Sequence, residues 1–358
     1  MMSMEVDLDG LFRQNETFDY DKDYEYKDEL EIRATWVVIP VLYSVQMVIG
    51  LLGNGLLLAV LALKRRSWSM SDTFILHLSV ADVLLLLVTL PVWAAQASKS
   101  CDWCLSGFLC KMSGAVFDVN FYCGIFMLAC ISFDSYLSVI HATQLYSQKR
   151  PWLAHISCIL VWLGSLILSI ADWYFTVAKK DYEQVECVHE YSVARLGHHT
   201  LGFLLPAVAL IICCSFILLR LQRCSKGLQK QRSIMVILPL VGVFFLCWMP
   251  YNITLIVDTV RSISKEPDVG TLKGSLNTAL MVTSMFGCIH ACLRPLLYLG
   301  LCQNFRKQIL ALLRCAPVKS VGSLWELGVG EEVLPEQNHE VGERELMNVD
   351  HQEQLTQC

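Results

Sequence analysis

The chain has 358 residues, of which 54% are hydrophobic and 17% are charged, and its mean hydropathy is +0.47. This composition is too apolar for a soluble multidomain enzyme or a disordered protein and indicates a membrane protein. The formal net charge of -5 provides no basic footprint for nucleic acid. The 16 cysteines stand mostly in apolar runs, where a thiol behaves as a small hydrophobic group.

Seven apolar segments are long enough to span a membrane, because a bilayer core about 30 Å thick requires about 20 residues of helix. They are residues 36–63, 72–97, 108–140, 152–175, 196–222, 232–260 and 274–300. The predicted fold is therefore an all-α membrane protein, a seven-transmembrane helix bundle with a short amphipathic eighth helix. Its predicted segments are an acidic arm (1–35), the bundle (36–300), a helix on the lipid surface (301–315) and a disordered tail (316–358).

The positive-inside rule predicts the orientation of this bundle. Lysine and arginine are concentrated after the first, third and fifth spans, and loops of this kind face the cytoplasm. We therefore expect a multi-pass protein of the plasma membrane with an extracellular N-terminus. Cys110 and Cys187 then both lie on the outer side, where a disulfide bond between them would pin the loop after the fourth span over the bundle.

The N-terminal arm is strongly acidic. Residues 1–31 contain eleven acidic and three basic side chains, a net charge of -8, and would attract a basic ligand. Tyr20, Tyr24 and Tyr26 alternate with carboxylates, a context typical of tyrosine sulfation, although an arm that is merely solvating is the alternative interpretation. Asn15 begins an Asn-Glu-Thr sequence, a candidate glycosylation site on the outer side.

Acidic and aromatic side chains recur near the outer halves of the predicted spans. Asp118, Asp172 and Asp258 are the carboxylates, and a carboxylate inside a membrane bundle is a candidate functional group, with solvation at a helix end as the alternative. Trp93, Tyr122 and Trp248 lie at similar depth. Pro250 interrupts the helix beside Trp248, which favours a hinge and a switching role for Trp248 over ordinary packing.

Ordered motifs along residues 36–314 resemble those of rhodopsin-like G-protein-coupled receptors. They include Gly53-Asn54, Leu78-Ser-Val-Ala-Asp82, Phe133-Asp-Ser-Tyr136, Cys247-Trp-Met-Pro250 and Arg294-Pro-Leu-Leu-Tyr298. Thr89-Leu-Pro91 and the tyrosine-rich acidic arm are similar to chemokine receptors. Ala129-Cys-Ile-Ser-Phe133 and Thr283-Ser284 look most like the C-X-C type 3 group.

The resemblance implies a receptor that binds a basic C-X-C chemokine in two steps, with the arm holding the chemokine body before its flexible N-terminus enters the bundle. The ligand contacts so predicted are Tyr20, Tyr24, Tyr26, Trp93, Asp118, Tyr122, Asp172, Asp258 and Ser284. We expect no enzymatic activity, cofactor or metal, since the sequence has no phosphate loop, nucleophile elbow or zinc-spaced cluster. A transporter is disfavoured because no inverted repeat is evident.

Three positions on the cytoplasmic half depart from the receptor pattern. The Asp-Arg-Tyr triplet reads Asp134, Ser135 and Tyr136, and serine has neither the reach nor the guanidinium of the arginine that meets a G protein. Cys214 replaces the tyrosine that supports this arginine. The sequence therefore favours a scavenging or decoy receptor with reduced G-protein coupling. A conventional Gi-coupled chemotactic receptor is the alternative. Heterotrimeric Gi protein and arrestin are candidate partners, although the tail has few phosphorylatable residues and predicts weak arrestin recruitment through a phosphorylated cluster.

The third departure is Arg294, which replaces the asparagine of the Asn-Pro-x-x-Tyr motif. It needs a partner at this depth, and we expect it to pair with Asp82 near Asn120, with snorkelling to the inner interface as the alternative. The predicted switch residues are Asp82, Asn120, Asp134, Ser135, Tyr136, Trp248, Pro250, Arg294 and Tyr298. Pro91 follows Asp82 at one residue more than the family spacing, which leaves the direction of Trp93 open.

Overall fold

The computed structural model describes residues 20–64, 68–98, 107–140, 151–181, 184–189, 200–223, 236–264, 270–314 and 324–325. Within these residues the chain forms helices α1 (Tyr20–Leu63), α2 (Met70–Leu84, Leu85–Thr89 and Leu90–Ala97), α3 (Gly107–Ile140), α4 (Pro151–Phe175), α5 (Thr200–Leu204 and Leu205–Arg223), α6 (Ile237–Ser264), α7 (Gly270–Leu301) and α8 (Gln303–Leu313). Strands β1 (Thr176–Asp181) and β2 (Gln184–His189) lie between α4 and α5.

Seven of the described helices are long and apolar enough to cross a membrane. Their apolar portions run over Val37–Leu63, Met70–Ala97, Phe108–Leu137, Trp152–Ile170, Gly202–Leu219, Ile237–Arg261 and Ser275–Leu301. Most ends of these portions differ from the ends of the predicted spans by only a few residues. The predicted seven-helix bundle is confirmed. The predicted eighth helix is also present, with Phe305 and Ile309 on its buried face.

The core of the bundle surrounds α3, which contacts α2, α4, α5 and α6. α1 packs on α2 and α7, and α6 packs on α7. Large apolar side chains such as Ile167, Leu205 and Leu246 point outward and are exposed. Outward-facing apolar side chains of this kind suit a helix bundle in lipid, where no water penalises them.

Helix α1 begins earlier than the predicted boundary between arm and bundle. Its backbone is helical from Tyr20, although its apolar membrane portion begins only at Val37. The intervening residues are rich in glutamate and lysine, which are good helix formers, and propagation from an existing helix requires no new nucleus. The described part of the arm, from Tyr20 onward, therefore enters the bundle as a helical extension of α1.

A π-helical segment interrupts α2 at Leu85–Thr89. The backbone N–H of Leu90 donates to the carbonyl of Leu85, five residues earlier, so this turn holds one residue more than an α-helical turn. The long spacing between Asp82 and Pro91 is thus absorbed locally. Beyond the bulge, the α-helix resumes with Pro91 in its first turn, where a missing N–H costs little.

The two strands form an antiparallel hairpin that the sequence analysis did not predict. Their register runs from Thr176 opposite His189 to Asp181 opposite Gln184. β-branched Val177, Val185 and Val188 favour strand conformation here. Both strands contact α3, and β1 follows directly on α4, whose Trp173 ring centroid lies 5.9 Å from that of Phe108 in the first turn of α3. The hairpin therefore lies at the end of the bundle where α3 begins. We call this the hairpin end, and the opposite end, which carries α8, the tail end.

Candidate functional site

An aromatic cluster lies in the bundle towards the hairpin end, centred on Phe117 of α3. The Phe117 ring centroid lies 5.1 Å from that of Trp93, 5.0 Å from Trp248 and 5.2 Å from Tyr251. Trp93 in turn lies 6.1 Å from Tyr43 of α1. The cluster therefore joins helices α1, α2, α3 and α6. The sequence analysis missed the central role of Phe117, which no single local pattern indicates.

Trp93 points into the bundle, which resolves the direction that the sequence left open. Its indole Nε1 donates to the hydroxyl of Ser113 on α3 at 3.2 Å. Thr89, the last residue of the π-helical segment, donates to the carbonyl of Ser113 at 3.0 Å. The bulge thus presents Thr89 and Trp93 to the same turn of α3, and the predicted position of Trp93 at a ligand pocket is compatible with this placement.

The structure describes the side chains of only some of the remaining predicted ligand contacts. Asp118 and Asp258 are partly buried in α3 and α6. The Ser284 hydroxyl donates to the carbonyl of Met281 at 2.8 Å and is a hydrogen-bond partner of Tyr43. The side chains of Asp172, Tyr20, Tyr24 and Tyr26 lie outside the described residues, as does Asn15. Their predicted roles stay predictions.

Tyr122, a predicted ligand contact, packs against α5 in this structure. Its side chain is fully buried, and its ring lies against Gly202 of α5, where an added Cβ would come within 2.5 Å of the ring. Its predicted role as a ligand contact stays a prediction. The glycine explains how α5 approaches α3 closely at this level.

Trp248 occupies the base of the aromatic cluster. It is fully buried, its ring centroid lies 4.8 Å from that of Phe121, and Gly287 of α7 lies against its ring. Pro250 follows two residues later inside α6, and the side chain of Asn252 donates to the Trp248 carbonyl at 2.8 Å. Pro250 has no backbone N–H to donate within α6, and a proline at such a position can bend a helix. The predicted switching role of Trp248 stays a prediction.

A buried polar group lies beneath the aromatic cluster and contains the predicted ion pair. Nη1 of Arg294 lies 2.9 Å from Oδ2 of Asp82, and both side chains are almost completely buried. The two atoms form an ion pair without the alignment of a directed hydrogen bond. Asn120 donates to Oδ1 of Asp82 at 2.9 Å. Pairing is therefore confirmed and snorkelling is not observed.

His290 completes this polar group, and the sequence analysis did not identify it. Nη2 of Arg294 lies 3.2 Å from Nδ1 and 3.4 Å from Nε2 of His290. The histidine stands one helical turn before the arginine, a spacing that places both on one face of α7. Its ring meets Phe244 edge-on at 5.2 Å, and Phe244 lies 6.2 Å from Trp248. Contacts thus run continuously from the ion pair to Trp248.

The altered triplet lies at the tail end of α3. Asp134 and Ser135 are buried, and the ring of Tyr136 lies 5.8 Å from that of Phe216 on α5. Cys214 is also buried on α5 and has the hydroxyl of Ser132 as a neighbour. The hydroxyl and thiol side chains at 135 and 214 supply no positive charge at these two positions.

Cys110 of α3 is disulfide-bonded, and strand β2, which carries Cys187, contacts the same helix. This placement supports the predicted pairing, which stays a prediction. Among the described residues no group of three or more histidine, cysteine, aspartate or glutamate side chains is arranged to hold a metal ion.

Comparison with known proteins defines the family. Residues 53–298 match the family of 7 transmembrane receptors (rhodopsin family). The bovine C-X-C chemokine receptor type 3 is 37% identical over 316 residues, covering 84% of this chain and 85% of the relative. The human type 3 receptor is 39% identical over 283 residues, covering 77% and 76%, and the human type 5 receptor is 33% identical over 303 residues, covering 81% of each.

The chain therefore belongs to the rhodopsin family of seven-transmembrane receptors and, within it, to the C-X-C chemokine receptors. Proteins of this family are receptors and not enzymes, as the sequence predicted.

Proposed function

We propose that this protein is a cell-surface receptor for basic C-X-C chemokines that removes its ligand by internalisation, with reduced coupling to G protein. The observation that carries the proposal is Ser135, which stands where the family has the arginine of its Asp-Arg-Tyr triplet. Serine cannot form the guanidinium contacts that an arginine makes. Cys214 removes the supporting hydroxyl on α5 as well.

The hairpin end faces the extracellular side in this proposal, and the tail end faces the cytoplasm. The distribution of lysine and arginine along the sequence supports this orientation. It also places Cys110 and the hairpin in an oxidising compartment, where a Cys110–Cys187 bond is stable. The acidic arm then extends from α1 into the extracellular space, where Asn15 can carry glycan and the tyrosines can carry sulfate.

Ligand binding begins at the arm and ends in the bundle. The net charge of -8 over residues 1–31 attracts a basic chemokine through long-range electrostatics. The flexible N-terminus of the ligand then contacts Trp93, Asp118, Asp258 and Ser284, with Asp172 and Tyr122 as further predicted contacts. The partly buried carboxylates suit a basic group on the ligand, because a low-dielectric site strengthens such a pair.

The ion pair between Asp82 and Arg294 supports altered signalling. It joins α2 to α7 in the region whose contacts reach Trp248, so it links the proposed switch to a fixed buried cation.

The conventional alternative, a Gi-coupled chemotactic receptor, is favoured by one observation. The aromatic packing from Phe117 through Trp248 to Phe244 is continuous and provides an intact route for a ligand-driven movement.

The deciding experiment measures two outputs from the same cells. Cells expressing the receptor at matched surface levels are given basic C-X-C chemokines, and ligand uptake and Gi activation are recorded together. We expect uptake without Gi activation for the wild type. Ser135→Arg should restore Gi activation, and Ser135→Lys, a matched control with a charge but no guanidinium fork, should restore much less. Strong Gi activation by the wild type would establish the conventional alternative instead.

A further inference from the structure

Two residues of the predicted disordered tail are buried against the helix bundle. Leu324 and Trp325 have exposed fractions of 0% and 5%, although the preceding described residue, Arg314, is ten positions away. The prediction that residues 316–358 are disordered therefore does not hold for these two residues. Their burial is unusual for a cytoplasmic tail and has specific partners.

Trp325 fits between three helices at the tail end. Its ring centroid lies 4.7 Å from that of Tyr298 in the last turns of α7 and 5.7 Å from that of Phe305 in α8. Its indole Nε1 donates to Oδ1 of Asp72, in the first turn of α2, at 2.7 Å. We call Asp72, Tyr298 and Phe305 the tail site.

Asp72 has one carboxylate oxygen available for the Trp325 indole because its other oxygen takes part in the N-terminal cap of α2. Its Oδ2 accepts from the backbone N–H of Ser69 at 2.6 Å and from the ammonium of Lys64 at 3.0 Å. The helix cap thus occupies one carboxylate oxygen and presents the other to Trp325. The Asp72 side chain is fully buried, and a buried carboxylate is stable only when its oxygens have donors.

The chain between α8 and Trp325 is long enough for this return. Helix α8 has 11 residues, and at about 1.5 Å per residue it carries the chain about 16 Å from the end of α7. The ten residues that lead from Arg314 to Leu324 reach about 33 Å when extended. The tail can therefore turn back along α8 without strain.

We propose that the tail site is a binding site for a tryptophan-bearing segment and that its occupant is this chain's own Leu324–Trp325. The indole supplies one donor to Asp72 and an apolar face to Tyr298 and Phe305, a combination that suits tryptophan because its ring nitrogen is a donor only. The bound tail covers the junction between α7 and α8. A protein partner that needs Tyr298 or Phe305 must first displace it.

Binding of Trp325 at the tail site is independent of the identity of the chemokine and of the degree of G-protein coupling. Hydrogen–deuterium exchange of the full-length receptor in lipid nanodiscs tests it, with mass spectrometry of the peptides that contain Trp325 and the α7–α8 junction. Trp325→Ala should increase exchange in both peptides by about tenfold or more, since a hydrogen bond to a charged acceptor is worth at least that factor. Trp325→Phe keeps an aromatic ring without the donor and should give an intermediate increase.

Trp152→Ala is the matched control, because Trp152 lies in the first turn of α4 at the tail end and is exposed. It should leave exchange at both peptides unchanged. A direct second measurement labels the receptor with 5-fluorotryptophan and assigns the Trp325 resonance by its loss in Trp325→Phe. A soluble paramagnetic quencher should broaden this resonance much less in the native receptor than in the receptor unfolded by denaturant. Equal broadening, or wild-type exchange as fast as in Trp325→Ala, would overturn the proposal.

Discussion

Arg294 of α7 and Asp82 of α2 form a buried ion pair, with Nη1 and Oδ2 2.9 Å apart, in the middle of the helix bundle. Both partners are almost inaccessible to solvent, and each has a further partner, His290 for the arginine and Asn120 for the aspartate. An asparagine at position 294 carries no charge and could not form an ion pair with Asp82. Substitution of either partner should therefore change the stability of the receptor, and substitution of Arg294 should change its response to sodium.

The first prediction concerns the stability of the ion pair. Arg294→Asn or Asp82→Asn alone leaves a buried charge without its partner and should cost about 3–5 kcal/mol of stability. The double substitution removes both charges and should recover most of the loss. The apparent unfolding temperatures of the four proteins in one lipid or detergent system measure the coupling. Additive effects in this cycle would mean that the two side chains do not interact in the membrane.

A second prediction concerns sodium. Because Arg294 places a fixed cation beside Asp82, chemokine affinity of the wild type should be the same in sodium and in choline at equal ionic strength. Arg294→Asn frees the carboxylate and should make the affinity differ by about fivefold or more between the two salts, a typical coupling between linked sites. Radioligand binding to membranes measures this. A wild type as sensitive to sodium as the variant would contradict the role of Arg294 as a tethered cation.

A third prediction tests the close approach of α3 and α5. A Cβ at position 202 would lie 2.5 Å from the Tyr122 ring, so Gly202→Ala must displace that buried ring or separate the helices. We expect a loss of about 1–3 kcal/mol, the usual cost of overpacking. Gly164→Ala is the control, because no atom lies within 4 Å of its added Cβ. Tyr122→Leu should partly rescue Gly202→Ala by thermal unfolding, and equal stability of both alanine variants would refute the packing argument.

A fourth prediction concerns Cys302 at the junction of α7 and α8. Burial raises the pKa of its thiol from 9.0 to about 12, so the thiol stays protonated over the accessible pH range. Only the thiolate reacts with a maleimide or iodoacetamide. Labelling of Cys302 in the native receptor should therefore stay low between pH 7 and pH 10, whereas the unfolded chain should react increasingly as the pH passes 9.

Peptide mass spectrometry of the labelled receptor separates Cys302 from the other cysteines. Trp325→Ala should accelerate labelling of Cys302, because the tail residue contacts Tyr298 and Phe305 on either side of it in sequence. Rapid labelling of native Cys302 at pH 7 would show that the junction is open.

Much of the fold and part of the site could be predicted from local sequence patterns. Hydropathy over about 20 residues was sufficient for the seven spans, since crossing a bilayer imposes a length that can be counted along the chain. The amphipathic pattern was likewise sufficient for α8. The hairpin was not predicted, because a short strand pair after α4 has a weak periodic signal and depends on contacts with α3.

The sequence by itself determined that Arg294 needs a partner and that Asp82 and Pro91 are separated by an extra residue. Only the tertiary structure decided that Arg294 turns towards Asp82 instead of the membrane surface, and that a π-helical turn absorbs the extra residue and directs Trp93 towards Ser113. It also decided that Tyr122 faces Gly202 and that Trp325 returns to Asp72, 253 positions earlier in the chain. The physical reason is that hydropathy and helical period depend on neighbouring residues, whereas a buried polar or aromatic side chain takes its partner from whichever helix the packed bundle brings beside it.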